Sequence, residues 1–251
     1  MRRTGTRLAT ALLVLAFAHT AAAQTVDEVI DKSIAAQGGR AALAKLKSRK
    51  MTGTITLVTP AGDIAGTVEI QNATPNKSRS LIKADLTSLG AGMLTVDQRF
   101  NGTSGYVMDS LQGNRDITGQ QLDNMRNTAF PHPFVTYKDQ GISAKLIGKE
   151  KLGDRDVFVI TFEPPAGSTV RQFIDAETYI PKQTVVKINV PQLGVDVEQT
   201  TEFDDYRDVD GVKIPFKLTS SSSVQSFTIV FTKIEHNVPL DETLFSKPAA
   251  Q

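Results

Sequence analysis

The sequence predicts a mainly β domain, and three observations carry that prediction. Alternation of apolar and polar residues with period two takes over after Ser48. Turn signals then recur at short intervals. Helical spacing is confined to the beginning and to one central stretch. One large antiparallel sheet, a sandwich and a barrel all fit this pattern.

The first element is a helix. Thr25 followed by Glu28 makes a capping box, and Val26, Val29, Ile30 and Ile34 recur at helical spacing until Gly38-Gly39 stops them. A second short helix is expected at 41–46. Strands follow. Ile55 and Leu57 alternate with threonines, the Pro60–Asp63 turn intervenes, and Ile64, Val68 and Ile70 continue on the return strand. Asn101-Gly102, between extended runs, signals another hairpin. Further strands are expected at 77–85, 93–100, 104–109, 143–149, 157–163, 169–174, 183–190, 194–203, 212–220 and 224–236. A helix at 120–127 interrupts the series, with Leu122 and Met125 on one side and Phe130, Pro131, Pro133 and Phe134 behind it. Strands that alternate have one covered face. The first helix and the 122–134 segment are the candidates to cover it.

Residues 1–23 carry the pattern of a secretory signal: Arg2, Arg3 and Arg7, the apolar run Leu8–Ala18, and Ala21-Ala22-Ala23 as a cleavage site. That run is shorter than the roughly 20 residues a membrane span needs. Cleavage after Ala23 leaves one domain, 24–251. It holds 25 basic residues, the chain's 28 less those three arginines, against 27 acidic ones. A near-neutral balance offers no electrostatic footprint for nucleic acid. With no cysteine in the chain, disulfides, thiolate metal sites, Cys nucleophiles and a lipid-modified N-terminal Cys are excluded.

The stretch Phe203–Leu218 crowds Asp204, Asp205, Asp208 and Asp210 beside Gly211. Aligned as a calcium loop with Gly211 at position six, it puts Tyr206 at position one and Lys217 at position twelve, so two essential ligands are missing. A turn at Asp210-Gly211 fits better. Pro215 lacks an N–H, which predicts an edge strand or a bulge there. Of the three histidines, His19 lies in the signal, and His132 and His236 stand apart from each other. No nucleophile elbow, zinc-binding helix or phosphate loop occurs. Neither a catalytic residue, a metal site nor a cofactor is assigned. The informative residues are apolar: Leu89, Met93, Met108, Leu111, Leu122, Met125, Phe130 and Phe134. They either fill an ordinary core or line a dry pocket for acyl chains, and Met suits such adaptable surfaces.

Several segments resemble one family. They are Ala35–Ser48 after the capped helix, Phe100–Met108, Phe173–Thr184 with Asp175 before a turn, the Gly-Val-x-Ile-Pro run at 211–215, and Val238–Pro248. In this order they resemble the outer-membrane lipoprotein-sorting proteins of the LolA/LolB-like superfamily. The resemblance implies a strongly curved antiparallel sheet, a half-open β-barrel with a helical lid over an apolar cavity. It implies a periplasmic, monomeric, non-enzymatic carrier of lipid or lipoprotein acyl chains, moving between an inner-membrane donor and an outer-membrane acceptor. A sensor of the same fold that binds a partner protein is the alternative. The absence of cysteine favours the soluble carrier type over the lipid-anchored one. Such carriers latch the lid with an arginine, for which Arg79, Arg99 and Arg126 are all open.

Overall fold

The computed structural model describes residues 24–128, 130–190 and 194–249. The expected signal, 1–23, lies outside them. The alternating segments form thirteen strands in one antiparallel sheet. The first six are β1 (Ser48–Thr59), β2 (Gly62–Ala73), β3 (Lys77–Asp85), β4 (Met93–Phe100), β5 (Gly105–Asp109) and β6 (Arg115–Ile117). The other seven are β7 (Ser143–Leu152), β8 (Arg155–Glu163), β9 (Val170–Asp175), β10 (Pro181–Val190), β11 (Val195–Val209), β12 (Val212–Ser221) and β13 (Ser226–His236). Each set is a meander of neighbouring hairpins, and the two join at the centre of the sheet. There β1 pairs with β13, from Arg49 opposite His236 to Val58 opposite Ser226. The edges are β6 and β7. The connection between them, 118–142, therefore has to cross from one edge of the sheet to the other.

The helices cover the inner face. Helix α1 (Val26–Ala36) forms as its capping box predicts, with Thr25 Oγ1 accepting from Glu28 N and Glu28 accepting from Thr25 N. It buries Val29, Ile30 and Ile34 almost completely. Each such side chain contributes about 1.5–3 kcal/mol relative to an exposed one. Helix α2 (Arg40–Ala44) adds Leu43, with Leu46 just behind it. These residues join Met51 and Ile55 of β1, Phe158 and Ile160 of β8, Ile214 and Phe216 of β12 and Ile229 of β13 in one core.

The Asp210-Gly211 turn is the seat of α1. Asp210 and Gly211 both have positive φ (53° and 79°), and Asp208 Oδ1 accepts from Gly211 N. The helix ends against it, with Lys213 N donating to Gln37 O. One expectation is corrected nearby. β12 is an interior strand, and its pairing with β11 shows no register shift at Pro215. The strand tolerates proline because β13 pairs only with residues 217–221 of β12. At Pro215 the second ladder has already opened, so no N–H is needed there.

The outer face of β3 and β4 carries an ion cluster. Arg79 donates Nε and Nη2 to Asp97 at 2.8 Å each, and Arg99 Nη2 donates to the same carboxylate at 2.8 Å. Burial pushes the Asp97 carboxyl up, but the two arginines outweigh it and hold it below the usual carboxylate range. A 3-10 turn at Glu242–Phe245 lies against these strands. Arg99 Nη1 donates to Ser246 O, and Phe245 is 1% exposed.

Candidate functional site

The 118–142 crossing forms the cover. Its first half is helix α3 (Gly119–Asn127), none of whose residues is buried. Polar bonds suspend it between the two flanks of the curved sheet. On one side Asn124 Nδ2 donates to Ser168 Oγ at 3.0 Å, Ser168 N donates back to Asn124 Oδ1 at 2.7 Å, and Asn127 Nδ2 reaches Ala166 O at 2.8 Å. On the other side Asn76 Nδ2 donates to Arg126 O, and Arg126 Nη2 donates to Thr103 O. Net, each such bond contributes about 0.5–1.5 kcal/mol.

The second half is anchored differently. Helix α4 (Pro133–Thr136) starts with proline in its first turn and His132 as N-cap. Phe130, Phe134, Tyr137 and Ile142 sink into the main core. Phe134 stacks on Phe162 at 5.4 Å, and Tyr137 meets the same ring edge-on at 5.5 Å. The cover thus has a half fixed by packing and a half hung on surface hydrogen bonds.

Two cavities flank α4. One, of about 180 Å³, lies toward Ile142, Phe162 and Val170. The other, of about 220 Å³, lies toward Leu43, Leu46, Arg49 and Ile214. Thr128, Pro133, Phe134 and Gln172 line both, so Phe134 and Gln172 form the partition. Each alone is smaller than the roughly 300–1,000 Å³ of a typical ligand site.

Arg49 enters this space from β1. It shares a face with Met51 and Ile55, and its guanidinium lies 5.4 Å from the Phe130 ring centre. Asn72 Oδ1 accepts from Nη2 at 3.3 Å, while the enclosed Nε has no partner. Burial lowers the guanidinium to about 10. The imidazole of His132 is also enclosed, though the residue as a whole is half-buried. Its Nδ1 accepts from Phe134 N at 3.2 Å, which leaves Nε2–H to donate to Gln37 Oε1 at 3.1 Å. Burial first, and then the Arg49 charge, hold this imidazole at about 4 instead of 6.5.

A pH dependence follows. Between about 4 and 6.5 the unfolded chain protonates His132 and the folded one does not. Stability therefore falls as pH drops through this window, and the gap corresponds to about 3 kcal/mol. Denaturant titrations from pH 7 to 4 should show this slope, and His132→Gln should flatten most of it. The residual slope belongs to His236, which burial also depresses, and to the carboxylates. An equal slope in both proteins would mean that His132 is not held neutral.

The structure separates the eight expected apolar residues. Phe134 lines both cavities, Phe130 packs in the core under Arg49, and Met125 lies over Gly105 and Gln98 with Leu122 half-buried on the same helix. Met108 stands opposite Asp97 on β4, on the face away from the cover. Leu89 and Leu111 are 43% and 50% exposed at the turns after β3 and β5, and Met93, 58% exposed, opens β4. Arg79 and Arg99 are spent on Asp97, and Arg126 belongs to the cover itself. The arginine that reaches the cover from the sheet is Arg49. Its signal was the spacing Arg49, Met51, Gly53, Ile55, which puts a charge in step with inward-facing positions.

Among the described residues no group of three or more His, Asp or Glu could hold a metal. None of their helices is long and apolar enough to cross a membrane. A single curved sheet, open at both edges and bridged by one helical crossing over an apolar space, is a half-open barrel with a lid. Several solved structures are similar to it over nearly their whole length. A LolA superfamily protein from Nitrosomonas europaea matches with a TM-score of 0.57 at 13% identity, covering 90% of this chain and 99% of that one. An outer membrane lipoprotein-sorting protein domain from Vibrio parahaemolyticus gives 0.55 at 12%, covering 87% and 95%. A DUF1329 family protein from Desulfovibrio piger gives 0.58 at 12%, covering 89% and 98%. No family model and no curated protein sequence matches the chain. The chain has the LolA-like fold.

Proposed function

We propose that this protein is a periplasmic carrier that holds the acyl chains of a lipid or lipoprotein under its lid. The observation that carries this reading is the pair of apolar cavities kept apart by Phe134 and Gln172. Turning the Phe134 ring aside joins them into one chamber. Phe134 is its movable partition, with Phe130 packed beside the chamber and Leu122 and Met125 on the α3 half of the lid, and each methylene that enters contributes about 0.8 kcal/mol. Release needs the wall to lift. The suspended α3 half is the part that swings, and Arg49 against the Phe130 ring is the latch on the packed half. Donor and acceptor would be membrane proteins on either side of the periplasm. The cavity walls are mainly apolar side chains, which suits acyl chains, and the reading is of a binding protein.

Native mass spectrometry of residues 24–251 purified from periplasm, with lipid extraction alongside, tests this. Bound phospholipid or an acylated peptide is the expected result. An apo mass that stays unchanged when lipids are added would remove the carrier reading.

A further inference from the structure

Arg49 poses a problem of its own. The residue is half-buried with its Nε enclosed, yet among the described residues no carboxylate pairs with it. Its contacts are one amide oxygen, from Asn72, and the Phe130 ring. Directly opposite on β13 stands His236, whose side chain is 1% exposed. Its Nδ1 is held by Asp210 Oδ2 at 3.2 Å, while Nε2 is buried without a partner. His132 faces the same guanidinium from the lid, and Lys213 lines the same cavity. Two enclosed nitrogens without partners thus stand on paired residues of β1 and β13. Arg49, though not His236, lines the cavity, where His132 and Lys213 make a polar end beside Leu43, Leu46 and Ile214. A buried guanidinium without a counter-charge is costly, and so is an orphaned ring nitrogen.

We propose that this end of the cavity is a head-group pocket, in which Arg49 binds the oxyanion of an acyl-bearing ligand. The inference rests on the carrier reading and narrows its ligand class to amphiphiles that end in a carboxylate or a phosphate. The guanidinium fork matches either group. At present burial and the Arg49 charge keep His236 neutral, against the pull of Asp210. An arriving oxyanion offsets that charge and draws a proton onto the ring, so Nε2 becomes a second donor. Leu43, Leu46 and Ile214 then receive the first methylenes, and the chain runs on past Phe134.

The test compares oleate with methyl oleate, which has the same chain without the charge, and adds dioleoyl phosphatidate and inorganic phosphate. Binding is read by calorimetry on residues 24–251. One charge-assisted hydrogen bond predicts oleate at least about tenfold tighter than methyl oleate. Phosphatidate should displace oleate, and inorganic phosphate should not. Arg49→Gln should bind oleate and methyl oleate equally, and Arg49→Lys should keep part of the preference. Equal affinities in the unmodified protein, a comparison that needs no variant, would overturn the head-group pocket and leave the carrier intact. Arg49-dependent binding of inorganic phosphate without any preference for oleate would assign the site to free anions and overturn the proposal. Binding of none of the four would remove both readings.

Discussion

A Gly38→Ala chain should unfold at far lower denaturant than the parent, with a loss of about 3–5 kcal/mol. Two effects coincide at this residue. Its φ is +118°, a region that a Cβ disfavours, and the Cβ would sit inside the van der Waals envelope of Gly211 O, with Val212 Cα at 3.2 Å. Both obstacles are backbone, so no rotamer change relieves them. Gly39 separates the two effects. Its φ is also positive, +85°, but a Cβ there meets nothing within 4 Å. Gly39→Ala should therefore carry only the backbone cost, about 1–3 kcal/mol and less than Gly38→Ala. Urea titrations of the two variants measure the difference. Similar losses would show that α1 does not dock on the 210–211 turn as described.

Locking α3 to the far flank should stop exchange of bound acyl chains. A Cβ placed on Gly167 lies 3.3 Å from Asp123 Cβ, a few tenths short of the spacing in disulfides. The ends of the Asn124 and Asn127 side chains would have to turn away, and the residue at 167 would carry a positive φ of 96°. In a chain with no other cysteine, Asp123→Cys with Gly167→Cys can form only this intramolecular bridge. Oxidation should slow exchange of a fluorescent fatty acid by at least about tenfold, because a lid sets the rate of such steps. Dithiothreitol should restore it, and this control acts on the same chain, so strain at residue 167 cancels. Equal exchange in the oxidised and reduced forms would rule out α3 as the moving part.

Local chemistry was legible in the sequence wherever it was dense. The expected strands at 77–85 and 93–100 agree with β3 and β4 at both ends, and the capping box of Thr25 and Glu28 forms as written. What escaped was short or relational. β6 spans only Arg115–Ile117, too little for any period to show. Helix α4 has four residues and opens with a proline, a start signal masked by the second proline two residues earlier. Pro215 was read as marking an edge because its own strand says nothing about where the neighbouring ladder ends. The apolar residues show the same limit. Met108 and Phe134 are alike in hydropathy, but only strand pairing reveals that Met108 shares a face with Asp97. Arg49 was missed because the alternation that begins after Ser48 is marked by its apolar members, Ile55 and Leu57, and a charge in step with them reads as a surface residue.

The pairing of β1 with β13 also orders the birth of the molecule in time. The first strand made by the chain lies beside the last, with Arg49 facing His236 across 187 positions. An emerging chain can close the hairpins of its first meander by itself, because those contacts are local. The seam at the centre of the sheet must wait for β13. Arg49 and His236 meet across that seam, so the head-group pocket is the last part to assemble. A chain threaded through a membrane from its N-terminus would remain open until its final strand had crossed.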